Sequence, residues 1–308
     1  MAFFCAQGVF ARMFSKDGAG QLAFTSGHTT EEFVRENLAK RGTIAHPNGI
    51  RGTRSAPSER ARTGPYAPFG TIHFNPDPGF LGRWLQRAMG GTPTGADPIT
   101  YPLAEGLSPF GVAIDRVTTK FRYNDCYINQ FQLSGRRTEY GAHPDVLDVM
   151  MEVYAQTRDK GITVTDTPLA FTADAAPYIF EDATITMLGV TREMFNVVLR
   201  IHNHLHVRTS NSLTPTIICP TNRSVTFEAT VPYTANETDL LDQTTAGAAA
   251  VLKFTNGNMS IEWDLATLQV ESHDPVVTGK GEIVLPIRGI ARTVGAVKEL
   301  VAINDSTP

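Results

Sequence analysis

Residues 195–208, FNVVLRIHNHLHVR, alternate apolar and polar side chains over fourteen positions. Phe195, Val197, Leu199, Ile201, Leu205 and Val207 share one face of an extended strand. Asn196, Arg200, His202, His204, His206 and Arg208 share the other. The pattern predicts a strand of about twice the usual length. At a rise of ~3.3 Å per residue it spans about 45 Å, too long for one layer of a compact sandwich. Such a strand has to project from its domain or run along a partner chain.

The rest of the chain reads as more strands with few helices. Thr29 and Glu32 fit a capping box, and Phe33, Val34, Asn37 and Leu38 form a helical stripe that Gly42 ends. Residues 47–68 are rich in Gly and Pro and carry Arg51, Arg54, Arg60 and Arg62, with Arg41 just upstream. A loop of this composition either docks on acidic surfaces of a neighbouring subunit or is simply solvated. Residues 69–76 predict a strand. Residues 80–89 predict a helix with Phe80, Leu81, Trp84, Leu85, Ala88 and Met89 on one face, closed by Gly90 and Gly91. A loop over 92–111 then leads to strands at 117–123, 126–133 and 146–155.

The second half begins with a strand pair, 178–188 and 195–208, turned through GVTRE. After a further loop, residues 224–231 alternate with Val225, Phe227, Ala229 and Val231 inward. A short helix is expected at 238–245. The Asn256 and Gly257 pair then turns one strand, AAAVLKF, into the next, which carries Met259, Ile261, Trp263 and Leu265 on one face. Residues 281–290 complete the sheet. The fold class is therefore mainly β, with β-sandwich layers and short flanking helices. The order strand, short helix, strand pair, final strand occurs in 70–155 and again in 224–291, which suggests a tandem duplication at the level of pattern. The expected divisions are an N-terminal arm and helix at 1–46, a first half at 47–165 and a second at 166–308, with a single domain over 1–308 as the alternative.

Composition narrows the function. With 27 basic and 31 acidic residues the chain carries a net charge of −4, so no excess of positive charge draws it to nucleic acid. Cys5, Cys126 and Cys219 lie far apart and suit neither a disulfide framework nor a metal knuckle. Neither a signal peptide nor a membrane-spanning run is expected. The one metal-like pattern is His202, His204 and His206, about 7 Å apart along one strand face. Arg200 and Arg208 bracket that face and would repel a cation. Glu262 and Asp264 could pair as acid and base, but an acid-bearing sheet face explains them as well. No nucleophile elbow, P-loop or dinucleotide turn is present. The expectation is a protein that is not an enzyme and uses no cofactor.

Several segments together carry a likeness to a known family: GIRGTRS at 49–55, Glu59 and Arg60, FGTIHFNPDPGFLGRWLQRAMGG at 69–91, KFRYNDCYIN at 120–129, IHNHLHVRTSNS, and the final GKGEIVLPIRG. The chain resembles the tail tube (major tail) proteins of long, non-contractile-tailed bacteriophages over residues 40–292. The resemblance implies a virion protein whose copies form stacked rings, with long strands joining into a shared β-barrel through which DNA passes. It implies partners that are further copies of the chain and other tail proteins at the tube ends, with no membrane, and assembly in the host cytoplasm. Tandem units favour a trimer of pseudo-six-fold symmetry over a hexamer. On this reading Arg51, Arg54, Arg60 and Arg62 dock ring to ring, Arg200, His202, His204 and His206 lie on a barrel strand, and Glu262, Asp264 and Glu271 face the bore. The alternative is a metal-dependent β-sandwich enzyme using the histidine row.

Overall fold

The computed structural model describes residues 11–45, 61–138, 145–165, 176–241, 247–271, 274–275, 277 and 282–307. Its first strands are β1 (Arg12–Asp17), β2 (Thr29–Glu31), β3 (Arg35–Glu36), β4 (Ala39–Ala45) and β5 (Arg62–Phe74). The helix α1 (Pro78–Met89) follows, then β6 (Ile99–Pro102), β7 (Phe110–Asp115), β8 (Lys120–Arg136), β9 (Asp148–Tyr154) and β10 (Thr157–Lys160). The second half holds β11 (Ala183–Met187), β12 (Val190–Arg192), β13 (Asn196–His202), β14 (His206–Arg208), β15 (Ile217–Cys219), β16 (Ser224–Pro232), β17 (Ala248–Asn256), β18 (Met259–Val270), β19 (Val284–Arg292) and β20 (Leu300–Asp305).

One long antiparallel sheet runs in the order β4, β5, β9, β8, β13, β16, β19, β18, with β3 beside β4 on the same edge of β5. Two other sheets fold against it. One is ordered β2, β1, β7, β8, β10, and the other β12, β11, β17, β18, β20, β6. β8 and β18 each belong to two sheets, and each changes sheet at a bulge, which bends and twists a strand locally. Among the described residues the sheets stay open and close no barrel.

The alternation seen in the sequence decides which side chains fill the space between the sheets. Phe131 from β8 meets Trp263 from β18 at a ring-centroid distance of 5.9 Å, and both are fully buried. Val225, Phe227, Ala229 and Val231 all point inward, as do Met259, Ile261 and Leu265. Trp84 is buried from α1. The expected hairpin is present one residue on: Asn256 lies opposite Met259 as the last pair of the ladder, and the two loop residues are Gly257, at φ 62°, and Asn258.

Several expectations fail, each for a local reason. Residues 195–208 are not one strand: β13 ends at His202, and β14 pairs only with β15 in a small separate sheet. Asn203 is buried there, donating its amide to Ala88 O and Ile128 O at 3.0 Å each, and His204 adopts φ 45°. With the Asn203 side chain held by those two carbonyls and His204 left-handed, the ladder with β16 has its last pair at His202 and Ser224, and the strand stops. The long strands are instead β8, with seventeen residues, and β5, with thirteen. The expected pair of 178–188 with 195–208 does not form either: β11 turns through Leu188 and Gly189 into β12, while β13 goes to β8 and β16.

The helix expected after Thr29 is β2, β3 and β4. Thr30 and Glu31 are drawn into the ladder with β1, where Glu31 is buried against Ser15 and Arg83. Ladder pairing thereby overrides a capping-box pattern. Of the loop expected at 47–68, residues 62–68 lie in β5, and 46–60 fall outside the described residues. The strands expected at 117–123 and 126–133 are the single strand β8. The loop expected at 92–111 contains β6 and the start of β7. The second-half helix is a 3-10 turn over Ala235–Leu240.

The pairings of the first half recur in the second. Across the long sheet Ala39 lies opposite Phe69, Phe69 opposite Tyr154, and Tyr154 opposite Tyr127. In the second half Arg200 lies opposite Thr226, Thr226 opposite Ile290, and Ile290 opposite Gln269. β1 flanks β7 and carries β2, as β11 flanks β17 and carries β12. β10 lies along the first part of β8, as β20 lies along the first part of β18. Even the bulges match. Phe110 and Val112 face Cys126 and Tyr123, and Ala248 and Ala250 face Leu268 and Leu265.

α1 braces the first half. Asp77 caps it, accepting from Gly79 N at 2.8 Å and Phe80 N at 3.0 Å, and Pro78 fits its first turn. Gly90 ends it at φ 77°, where a Cβ would stand 2.1 Å from Gly106 O. Burial pushes the Asp77 carboxyl up to about 6, against the lowering effect of the two capping amides. A carboxyl whose folded pKa lies above its unfolded value stabilises most below the unfolded pKa, and that stability declines as pH rises through about 6. Asp77→Asn keeps an oxygen acceptor and removes the charge. It is expected to gain on the wild type above pH 6 by on the order of 1–2 kcal/mol and to lose that advantage near pH 4. Asp77→Ala is expected to fall about 1 kcal/mol below Asp77→Asn at both pH values, for the lost cap. Thermal unfolding of the three proteins across that range checks both.

Candidate functional site

The long sheet has one apolar face locked into the core and one polar face turned away from it. Odd positions of β13 are buried: Val197, Leu199 and Ile201. Even positions, Arg200 and His202 among them, lie on the polar face beside Gln132 and Gln130 of β8 and Thr226 and Ser224 of β16. The charges on this face are largely matched within it. Arg200 donates to Gln132 and to Glu228, both at 2.8 Å, and Arg288 approaches the same Glu228 oxygen at 3.6 Å. His73 lies 3.2 Å from Asp148. At one end the face is concave, with a groove of about 730 Å³ bordered by Ser134, Asp148, Asn196, Glu228 and Arg288.

The histidine row does not survive as a row. The His202 and His204 rings stack at 3.7 Å between centroids, while His206 has moved onto β14. His204 Nε2 contacts Ser224 Oγ at 3.1 Å, and His202 Nε2 accepts from Asn129 at 3.2 Å. Among the described residues no group of three or more His, Cys, Asp or Glu side chains is placed to hold a metal ion. Asn129, whose amide also reaches Glu152, ties this corner to β9. The sequence carried no sign that Asn129 and Asn203 set this corner. Both read there as ordinary polar residues in strand patterns.

The expected bore acids separate. Glu262 and Asp264 lie on β18 on the side opposite Trp263, and Trp263 faces the long sheet. The two carboxylates therefore point away from the long sheet, where Glu262 pairs with Lys253 at 3.1 Å. Burial and the adjacent Glu262 raise the Asp264 carboxyl. Glu271 is different, because its backbone N–H donates to Arg288 O at 2.7 Å, which puts it beside Arg288 on the polar side of the long sheet. Of the expected docking arginines, Arg62 is exposed at the start of β5 opposite Ala45, and Arg51, Arg54 and Arg60 lie outside the described residues.

The long sheet ends in two edges. Among the described residues β3 and β4 pair with β5 alone, and Gln269 and Val270 at the end of β18 pair with β19 alone. Unpaired strand edges invite another strand.

Burial holds the His202 imidazole below its usual pKa, helped by the neighbouring His204 and opposed by Glu152. The folded state therefore resists protonation more than the unfolded chain does. This contribution is complete above the unfolded pKa of about 6.5 and is lost as pH falls through the lower folded value. His202→Gln is expected to flatten the loss of thermal stability between pH 6.5 and 5, by at most one proton of linkage. Thermal melts of both proteins at closely spaced pH values read this directly.

A comparison with curated proteins gives no match. No helix among the described residues is long and apolar enough to cross a membrane. The family model described as phage tail tube protein matches residues 18–291, nearly the whole chain. A mainly β chain with a long open sheet, one polar face and unpaired edges thus belongs to the phage tail tube proteins, structural components of the virion tail.

Proposed function

We propose that copies of this chain join edge to edge into rings, that the long sheets of a ring form one barrel wall, and that stacked rings make the conduit for DNA. The carrying observation is the long sheet itself: one side shielded by core and further layers, the other polar, both ends open. A closed barrel abolishes such edges. The repeated pairings support two tandem units, over 12–160 and 183–305, so that three chains supply six equivalent segments. A hexamer of single units is the competing count. Other tail proteins cap the tube ends, and assembly takes place in the host cytoplasm. Arg51, Arg54, Arg60 and Arg62, around the β4–β5 connection, dock one ring on the next. Electron microscopy of the concentrated protein is expected to show rings or tubes, with three chains per ring by mass. Monomers under every condition would refute the reading.

On this reading the polar face lines the bore, which moves the expected acids. Glu271 remains a bore residue, and Glu262 and Asp264 face outward. The bore need not be strongly acidic to release DNA if its cations are already engaged, because only free cations gain from phosphate contact. Glu228 is central to that, since it faces both Arg200 and Arg288. Glu228→Gln frees two guanidinium groups. Phage carrying it is expected to build tails of normal length and to eject DNA several-fold more slowly, with added salt restoring the rate. Ejection kinetics at two ionic strengths test this, and an unchanged rate would place Glu228 away from the bore.

A further inference from the structure

We propose that the cavity beside the last turn of α1 is a carboxylate-binding site, with Arg87 on its floor as the recognising residue. The site stands apart from the ring reading and does not depend on it.

Arg87 lies in the last turn of α1, with only 3% of its side chain exposed. Its guanidinium packs on two rings, 4.6 Å from the Trp84 centroid and 4.9 Å from that of Phe110. Those rings and the carbonyl end of the helix account for a cation at this place. They do not account for its hydrogen bonds. A guanidinium carries five N–H donors. Nε donates to Asp17 Oδ1 at 2.8 Å, while Nη1 and Nη2 are buried and have no acceptor among the described residues. Buried donors call for acceptors, because leaving them unmet costs stability.

A cavity of about 470 Å³ adjoins this residue, bordered also by Asp17, Gly18, Ala19, Gln86, Ser108 and Pro109. Of the seven, Arg87 is the one that is buried; Asp17, Ala19, Gln86 and Ser108 are exposed and form the mouth. The mouth is braced by the backbone. Gly18 N–H donates to Pro109 O at 3.2 Å and Gly20 N–H to Asp125 Oδ1 at 2.7 Å, which ties the turn after β1 to the approach to β7.

The paired N–H groups of Nη1 and Nη2 match the two oxygens of a carboxylate. Charge favours a carboxylate over a phosphate dianion. The nearby Arg83 already faces Glu31, and Lys16 is turned to Ala23 O and Ser26 O, so no surplus of cations gathers here. Asp17 is 63% exposed and its charge is screened by water, whereas the Arg87 charge is buried, which leaves room for one further single negative charge. Burial holds the Arg87 guanidinium below its usual pKa despite Asp17, and a bound anion would oppose that. Gln86 and Ser108 can donate to the ligand at the mouth, and Ala19 and Pro109 offer it an apolar flank. The carboxylate comes either from a small free acid or from an Asp or Glu side chain of another copy of this chain.

The test titrates isotope-labelled acetate with full-length protein at constant ionic strength, chloride making up the balance, and reads bound acetate by line broadening. Saturable binding is expected for the wild type. Asp17→Asn keeps an acceptor for Nε and removes the competing charge, so it is expected to bind acetate several-fold more tightly. Arg87→Lys keeps the charge without the fork and is expected to lose most of the binding. Absence of saturable binding in both the wild type and Asp17→Asn would overturn the site, and so would undiminished binding by a folded Arg87→Lys. The Asp17→Asn comparison decides the matter if Arg87→Lys fails to fold. Inorganic phosphate that displaces acetate at equal concentration would overturn the carboxylate assignment. Self-assembly separates the two sources: acetate released on assembly assigns the site to a neighbour's side chain, and acetate retained assigns it to a small free acid.

Discussion

The architecture depends on one constraint: every backbone amide and carbonyl in a sheet needs a partner, and a sheet satisfies all but those on its two outer edges. β8 carries most of that load. Its first part pairs with β7 and β10, and its second part pairs with β9 and β13. One strand thus belongs to two layers and to the seam between the two halves. The change of sheet occurs around Asp125, at φ 48°, where Phe110 and Val112 face Cys126 and Tyr123 across a bulge. Removing that twist would put the second part of β8 out of reach of β13. The long sheet could then not be continuous.

The corner at the end of β13 shows how a polar side chain can decide a strand's length. Asn203 is buried with its amide shared between the last turn of α1, at Ala88 O, and β8, at Ile128 O. Leaving either carbonyl without a donor in that setting would cost on the order of 1–3 kcal/mol. That exceeds the gain from adding one more ladder residue. The chain therefore turns at His204 instead of continuing the alternation, and Leu205 N–H is taken by Asn129 Oδ1 at 2.8 Å. The same corner holds helix, seam and polar face in fixed relation, so the face that the tube reading needs is set by buried amides behind it.

Much of this was legible in the sequence because alternation is a local signal. The inward sets of β16 and β18, the α1 stripe with its Gly90 stop, and the hairpin between β17 and β18, though not its exact loop residues, all follow from nearest-neighbour patterns. What was not legible depended on partners distant in the chain. The residues after Thr29 carry helical spacing, yet Glu31 finds Arg83 and Ser15, and β4 finds β5. Periodicity also continues through Asn203, since a polar residue there matches the pattern nearly as well as an apolar one would. At the site, the polar face of β13 was readable from Arg200 and His202. The outward direction of Glu262 and Asp264 was not, because facing depends on which sheet β18 has joined by that point.

The two halves share almost no residues and yet share the registers of most of their corresponding strands, and sheet physics explains how both can hold. Pairing fixes which positions face the core, and burial asks only that those positions be apolar and fill the space. Leu38 and Leu199 occupy one such place, Met151 and Ile287 another, and Tyr123 and Leu265 a third; all six are buried. On the polar face nothing comparable constrains identity, so His73 stands where Thr230 does and Ala39 where Arg200 does. The seam between the halves carries the Arg200 bonds to Gln132 and Glu228 and the buried Asn203. The outer edge of β4 carries Lys40, Arg41 and Gly42 instead, and Leu38 there is closed off by Glu36, Arg116 and Tyr123, so that the edge is guarded against uncontrolled pairing.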